Sequence, residues 1–164
     1  MLKVFNPRQT VLVTCSAEIE SFGKSKEKDN IIPLDWHMPL SFSPVLYGIS
    51  VGKDRFSIQL IRKSKVFVVN FMPYSSADKV LKCGNISGIN IDKFDLVNFN
   101  KVHCDSIDCV RIVEAVAHIE CEVIDEIDVG DHILFVGKVI NTKEHSKEKR
   151  LFHLYEGKFS TTND

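Results

Sequence analysis

The sequence has 164 residues, with 21 Lys or Arg against 22 Asp or Glu, and a formal net charge of −1 at pH 7. This length predicts one domain, residues 1–164, that buries its own core, and the charge gives no support to a general role on nucleic acid or at a membrane surface. No apolar run approaches the ~20 residues of a membrane span, and the first residues lack a cleavable signal pattern.

The number and spacing of the cysteines indicate the redox state of the compartment in which the protein folds. There are five, an odd number without a CxxC pair, in a chain long enough to fold without disulfides. We therefore expect free thiols in a reducing cytoplasm. We expect residues 1–8 and 160–164 to be flexible ends.

The first part of the chain alternates apolar runs with polar ones. Residues 11–15 form an apolar, β-branched run that predicts a buried strand. Residues 21–30 are polar and charged, which predicts a turn or an exposed loop between two strands. Residues 31–36 are extended because Pro33 disfavours a helix before it, and residues 38–44, with two prolines, are expected to form a loop.

A strand, a tight turn and a short helix follow. Residues 46–51 predict a strand that ends at Gly52, and Asp54 is a plausible N-cap of the helix after the turn. That helix is amphipathic. Its predicted buried side carries Phe56, Leu60 and Ile61, and its exposed side carries Gln59, Arg62 and Lys63.

Two cations and a hydroxyl crowd the start of this helix. Lys53, Arg55 and Ser57, together with free N–H groups and the helix dipole, are suited to bind a phosphate dianion. The alternative is an ordinary solvated cap, since Lys and Arg are common near turns. The pattern alone favours this alternative.

The middle of the chain predicts one more buried strand and short helices. Residues 66–71 form a strand that is buried by composition. Residues 75–81 look like a capped helix that ends near Cys83 and Gly84. Residues 85–88 are rich in turn formers, and residues 92–100 form either a helix or a loop.

His103, Cys104 and Cys109 could suggest a metal site. We reject it because three soft ligands at this spacing, without a matching pair elsewhere, do not make a zinc site, and no other metal site is expected.

The last third of the chain predicts β-structure. In residues 112–124, apolar residues alternate with Glu114, Glu120 and Glu122, and residues 133–140 form a second strand, which together predict an antiparallel pair with one face in water. Residues 125–131 connect them. Strong strands with a few short helices favour a mainly β fold, a closed Greek-key barrel. The apolar tail, residues 151–159, should pack back on the barrel or on a partner chain.

Several separated segments carry a family resemblance over nearly the whole chain. They are residues 11–15, 30–32 with Trp36, Ser41 with Pro44, 50–57, 67–70, 83–84, 87–88, 92–94, 119–123 and 130–136. In this order and spacing they resemble the flavin reductase-like family of FMN-binding split barrels, and most of all the flavoredoxins. The resemblance implies a split barrel, bound FMN and a homodimer with the flavin near the subunit interface.

The resemblance also assigns roles to residues. The phosphate is assigned to Lys53, Arg55 and Ser57, with Lys93 as a second cation candidate and Ser50 on the ribityl side. The flavin ring would contact the segment from Asn30 to Trp36, namely Asn30, Ile32, Pro33, Leu34, Asp35 and Trp36, as well as Ser50 and Val51. The turns at Cys83, Gly84, Ser87 and Gly88 would close over it.

Some positions leave alternatives open. The family commonly has a small hydroxyl residue where Pro33 or Asp35 stands. His132 matches a family histidine that contacts nicotinamide or passes protons, although a histidine that opens a strand is usually a turn residue. Cys83 is either a redox thiol beside the flavin or, more commonly, an inert buried thiol.

The function implied is an FMN-dependent oxidoreductase that passes electrons from NADH, NADPH or a redox protein to free flavin, a ferric chelate or a partner protein. No GxGxxG follows a strand, so nicotinamide would visit transiently. One alternative is a small β-barrel that binds a polyanion such as single-stranded nucleic acid. The other is a flavin carrier without turnover. The near-neutral charge disfavours the polyanion reading.

Overall fold

The computed structural model describes residues 3–21 and 23–163 of the chain. Its strands are β1 (Arg8–Gln9), β2 (Val11–Ser21), β3 (Lys24–Leu34), β4 (His37–Phe42), β5 (Val45–Gly52), β6 (Val66–Phe71), β7 (Lys101–His103), β8 (Val110–Ile112), β9 (Ala117–Val129), β10 (His132–Glu144), β11 (Phe152–Tyr155) and β12 (Lys158–Ser160). Its α-helices are α1 (Ser57–Ser64), α2 (Ala77–Gly84) and α3 (Lys93–Val97), and two 3-10 helices span Lys3–Phe5 and Tyr74–Ser76. The mainly β fold predicted from the sequence is confirmed.

The main sheet curls into a split barrel. Its seven antiparallel strands run in the order β3-β2-β6-β9-β10-β5-β4, so β3 and β4 lie at opposite edges although only Asp35 and Trp36 separate them in the chain. A flat sheet of seven strands is about 29 Å wide, and such a short connection spans at most about 11 Å. The two edges must therefore come together at this end, while no ladder joins β3 to β4 among the described strands.

Alternate residues of β2 and β3 face two different cores. Val11, Val13 and Ile32 point into the barrel, where α1 contributes Leu60 and Ile61 to the packing. Leu12 and Ile31 point outward into a second cluster. That cluster is completed by Met72, Val80, Cys83, Phe94, Ile112 and Leu151, from α2, α3 and the segments around them.

Two segments predicted as turn or loop are mostly strand, although the first does contain a turn between two strands. The polar residues 21–30 belong mostly to a hairpin of β2 and β3 that turns at Gly23 and exposes the first residues of β3. The exposure of this ribbon removes the apolar alternation that identifies a strand. Residues 38–44 lie largely in β4, an edge strand with a bulge after Pro39, and proline is tolerated at such edges.

Three local predictions also fail. The helix α1 is capped by Phe56, without a side-chain cap, instead of Asp54. Glu120, expected in water, is completely buried because residues 105 and 106 fold over it and donate their N–H groups to its carboxylate. The strands β9 and β10 also run through the predicted connection and leave only a short turn at Gly130.

The chain ends are partly tied down. The tail packs back on its own chain, one of the two predicted outcomes: β11 pairs with β1, and Leu151 packs in one cluster with Leu12 and Ile31 of the barrel strands. Within the predicted flexible end, Ser160 belongs to β12 and Thr161 donates its hydroxyl to the Arg150 carbonyl, so these two positions are ordered. Met1, Leu2, Phe22 and Asp164 lie outside the described residues. No described helix has the length and apolar character of a membrane span.

Candidate functional site

A cleft of about 970 Å³ opens where the barrel edges meet. The β3–β4 connection and the ends of β5 and β10 form part of its wall, with the start of α1, the segment after α2 and the C-terminal hairpin completing it. This volume lies at the upper end of the ~300–1,000 Å³ typical of small-molecule sites.

The cleft brings together every predicted site residue except Val51. It is lined by Asn30, Ile32, Pro33, Leu34, Asp35, Trp36, Ser50, Lys53, Arg55, Ser57, Cys83, Gly84, Ser87, Gly88, Lys93 and His132. The side chain of Val51 points instead into the barrel core, where it is fully buried. A ring contact from that side chain is therefore not available.

The two predicted phosphate cations are exposed and paired with carboxylates. Lys53 Nζ lies 2.7 Å from Asp128 Oδ1, and Arg55 Nε lies 3.4 Å from Asp54 Oδ1. Exposed pairs of this kind contribute about 0–1 kcal/mol, so an arriving anion can compete for both cations. The first turn of α1 next to them has no side-chain cap.

Ser57 and Asn30 form a buried polar pair in the wall of the cleft. Asn30 Nδ2 donates to Ser57 Oγ at 2.9 Å. Asn30 Oδ1 is buried and accepts no hydrogen bond among the described residues. A Cβ at residue 88 would collide with this side chain, so Gly88 permits the close approach. The cleft wall thus contains an acceptor whose donor the described protein does not supply.

Lys93 serves the fold rather than standing free in the cleft. Its Nζ donates to the carbonyls of Ile31 and Cys83, each at 2.9 Å, and the residue is almost fully buried. Burial lowers the pKa of Lys93. These bonds tie the start of α3 to β3 and to the end of α2, so Lys93 is a poor candidate for a direct phosphate contact.

Cys83 is buried beneath the same wall, and burial raises its pKa to about 11. Because the reactive form of cysteine is the thiolate, this favours the inert reading over a redox thiol.

Trp36 and His132 line the cleft, and their rings pack against each other in a tilted arrangement. Their ring centroids are 4.8 Å apart with an angle of 35° between the planes. His132 Nδ1 is 2.6 Å from Asp131 Oδ1, and the hydrogen bond from His132 holds the pKa of that exposed carboxyl below its usual range. The histidine that opens β10 therefore lies in the cleft, as expected for a functional role.

Sequence reasoning missed a second imidazole. His153, on β11, places its Nδ1 2.7 Å from Asp35 Oδ2, and Thr10 donates its hydroxyl to Asp35 Oδ1 at 2.6 Å. Thr10, Asp35 and His153 all line the cleft. No sequence signal could have joined them, because 118 positions separate Asp35 from His153.

Comparisons with known proteins agree with this architecture. The family model described as "Flavin reductase like domain" matches residues 4–162. An NADH-dependent FAD reductase from Streptomyces globisporus is 31% identical over 115 residues, which are 69% of this chain and 62% of that protein.

Two solved structures share the fold. An FMN-binding protein from Thermus thermophilus, solved with bound p-hydroxybenzaldehyde, has a TM-score of 0.84 and 25% identity, and the match covers 98% of this chain and 89% of that one. Flavoredoxin of Desulfovibrio vulgaris (Miyazaki F) also has a TM-score of 0.84, with 18% identity and coverage of 96% and 88%.

Proposed function

The chain belongs to the flavin reductase-like domain family, and from this premise we propose that it is an FMN-dependent oxidoreductase that passes electrons from NADH, NADPH or a reduced protein to an acceptor. Family membership supports a flavin-related oxidoreductase in general. The observation that carries the finer proposal is the convergence in one cleft of two exposed cations, an uncapped helix start and a tryptophan–histidine pair.

The cationic part of the cleft fits a phosphate monoester. Lys53 and Arg55 would bind it through charge-assisted hydrogen bonds, and the N–H groups at the start of α1 would add donors and a favourable dipole. Ser57 would contribute its backbone N–H and its hydroxyl proton, because the hydroxyl oxygen accepts from Asn30 and keeps its O–H to donate. The positive charges make FMN, which ends in a phosphate dianion, a better fit than riboflavin.

The remaining wall fits a large planar ring with polar edges. Pro33 and Trp36 offer apolar surface, and Gly84 and Gly88 let the backbone approach a ligand closely. The unsatisfied acceptor of Asn30 would suit an N–H or O–H group of the ligand if a small shift uncovered it.

The flavin, when bound, supplies the electron-transfer chemistry, and the protein orients its partners. His132 would contact the nicotinamide or an acceptor in the cleft. Its Nδ1 is bonded to Asp131, which leaves Nε2 as the atom that can hold or move a proton there.

We also propose that two copies of the chain form a homodimer beside the cleft. The β4–β5 hairpin exposes Met38, Phe42 and Val45, whose exposed fractions are 53%, 95% and 50%. This hairpin adjoins the cleft, since His37 follows Trp36 directly. Large apolar residues gathered on an edge hairpin are typical of an interface.

Light scattering tests the dimer. We expect twice the monomer mass for the wild type and a shift toward monomer for Phe42→Ser. The matched control is Val4→Ser, since Val4 is an 80% exposed apolar residue outside this hairpin. A monomeric wild-type protein would contradict the proposal.

A visible absorption spectrum tests the main proposal. Purified protein is mixed with FMN or FAD, freed of excess ligand, and then given NADH or NADPH with and without free FMN. We expect flavin peaks that stay with the protein and bleach with a reductant. Retention without bleaching by either nucleotide would point to a reduced protein as donor or to a flavin carrier, and a protein that retains no flavin and oxidises no nucleotide would overturn the proposal.

A further inference from the structure

Asp35 lies between a hydroxyl and an imidazole in the wall of the cleft. Thr10 occupies one carboxylate oxygen at 2.6 Å and His153 occupies the other at 2.7 Å. The side chains of His153 and Asp35 are only 19% and 18% exposed. Partial shielding from water strengthens such charge-assisted bonds and keeps the three side chains in one arrangement.

This arrangement determines which ring nitrogen of His153 carries a proton. An ionised carboxylate can only accept, so the nitrogen that faces Asp35 must be Nδ1–H. In the neutral ring, Nε2 then carries a lone pair. No described residue forms a hydrogen bond with that atom, and Phe159 packs against the ring at a centroid distance of 5.4 Å. The ring is therefore held at both its Nδ1 edge and one face, while Nε2 remains available.

The order of the groups excludes a hydrolytic triad. In that arrangement the imidazole lies between the hydroxyl and the carboxylate and activates the hydroxyl. Here the carboxylate is in the middle and Thr10 donates to it. Among the described residues no imidazole forms a hydrogen bond with the Thr10 hydroxyl, so Thr10 does not occupy the place of the nucleophile in such a triad.

The pair formed by His153 and Asp35 is more firmly held than the pair formed by His132 and Asp131. In the latter, Asp131 has a 92% exposed side chain, so water competes for its bond to His132. The consecutive residues Asp35 and Trp36 contact the two imidazoles separately, because Asp35 binds His153 and the Trp36 ring packs against His132. The short β3–β4 connection thus organises two histidines of one cleft.

We propose that His153 binds the cleft's ligand by accepting, through Nε2, a hydrogen bond from an N–H or O–H group, and that Asp35 and Thr10 are positioning residues that fix this tautomer. The inference rests on the proposed function. The donor group belongs either to the flavin or to the molecule that exchanges electrons with it.

The first test reads the tautomer in the free protein. Nitrogen-15 NMR of histidine-labelled wild-type protein at pH 8 should show His153 protonated at Nδ1 and bare at Nε2. In Asp35→Asn, the amide can present a donor to the ring, and the proton should move to Nε2. A wild-type ring protonated at Nε2 would overturn the inference, whatever the variants do.

The second test separates the two sources of the donor. His153→Phe keeps a ring against Phe159 but removes the acceptor, and His103→Phe is the matched control because His103 is exposed on β7 and outside the cleft lining. If the flavin supplies the donor, we expect roughly 2- to 10-fold weaker FMN binding in His153→Phe. If the molecule that exchanges electrons with the flavin supplies the donor, FMN binding stays unchanged and the KM for that molecule rises by a similar factor.

A double-mutant cycle tests whether Asp35 acts through His153. Asp35→Asn should change the same parameter as His153→Phe in the wild-type background and add nothing in the His153→Phe background. The inference is wrong if folded His153→Phe matches the His103→Phe control in both FMN binding and KM. A wild-type protein that retains no flavin and oxidises no nucleotide would instead overturn the proposed function and, with it, this inference.

Discussion

The side chain of Asn30 occupies the space that a Cβ at Gly88 would need. This contact joins β3 to the segment after α2, which form two walls of the cleft. Gly88 lies far from Asn30 and Ser57 in the sequence. In the fold it is a direct neighbour of the buried pair that these two residues form.

We expect Gly88→Ala to disturb this wall. The added methyl must displace Asn30, and overpacking of this kind costs about 1–3 kcal/mol of the free energy of unfolding, measured by urea denaturation. FMN binding should weaken as well. The control is Gly88→Ala in an Asn30→Ala background, where the collision is absent. If Gly88→Ala costs as much stability there as in the wild type, the contact is not the cause.

We expect Arg55→Gln to weaken FMN binding roughly tenfold, because one charge-assisted bond to a phosphate is worth about 1.5–3 kcal/mol and Arg55 is exposed enough for partial screening. Fluorescence titration measures it. Lys63→Gln, an exposed cation on the same helix outside the cleft lining, should bind FMN normally. Riboflavin, which lacks the phosphate, should bind both proteins equally. An equal loss of riboflavin binding in Arg55→Gln would contradict a phosphate contact.

A polar chain outside the cleft lining runs from exposed His145 to buried His118 and Glu120, and it predicts acid sensitivity. His145 contacts His118 Nδ1 at 2.8 Å, and His118 Nε2 contacts Glu120 Oε1 at 3.1 Å. Burial lowers the pKa of both histidines. Burial acts to raise the pKa of Glu120, but hydrogen bonds from His118 and from two backbone N–H groups outweigh it and hold that pKa below its usual value.

Each of these lowered pKa values makes the folded protein less stable as the pH falls. As the pH falls below about 6.5, the unfolded chain takes up protons on His118 and His145 before the folded chain does, so the free energy of unfolding falls. The loss is at most about 1.4 kcal/mol per pH unit for buried His118, and it is smaller for exposed His145, where water screens the charge. Glu120 adds a further loss below its usual pKa of 4.5. Urea denaturation at pH 7.5 and pH 5 measures the slope. His118→Gln should flatten it and the exposed His103→Gln should not; an unchanged slope in His118→Gln would contradict this account.

We expect Cys83 to be chemically inert. With a pKa of about 11, its thiol should resist alkylation by iodoacetamide at pH 8 in the folded protein and react in urea, as mass spectrometry can show. Cys83→Ala should cost about 1 kcal/mol of stability through the small cavity it leaves, with electron transfer unchanged. A folded, flavin-bound Cys83→Ala protein without turnover would restore the redox reading.

The sequence predicted elements well where burial differs between neighbouring residues. The strand at residues 66–71 and the amphipathic helix α1 were recognisable because their apolar residues follow a strict spacing. The start of β3, within residues 21–30, and the edge strand β4 were missed because most of their residues are exposed on both faces, so no pattern marks them. Glu120 was wrongly predicted to be exposed. Its own strand shows a polar residue at a water-facing position, but residues 105 and 106, from another segment, cover it.

Some residues of the candidate site could be assigned from the sequence, and others only from the fold. Residues around the strand–turn–helix of 46–64 could be assigned from sequence, because local chemistry at a helix start and the family resemblance both point to them. The sequence by itself determined the buried strands, the helix α1 and the clustering of Lys53, Arg55 and Ser57, since these depend on neighbours in the chain. Only the tertiary structure decided that Lys93 binds backbone carbonyls, that Val51 faces the core, and that Asp35 holds His153, because closure of the barrel brings together groups that no local spacing connects.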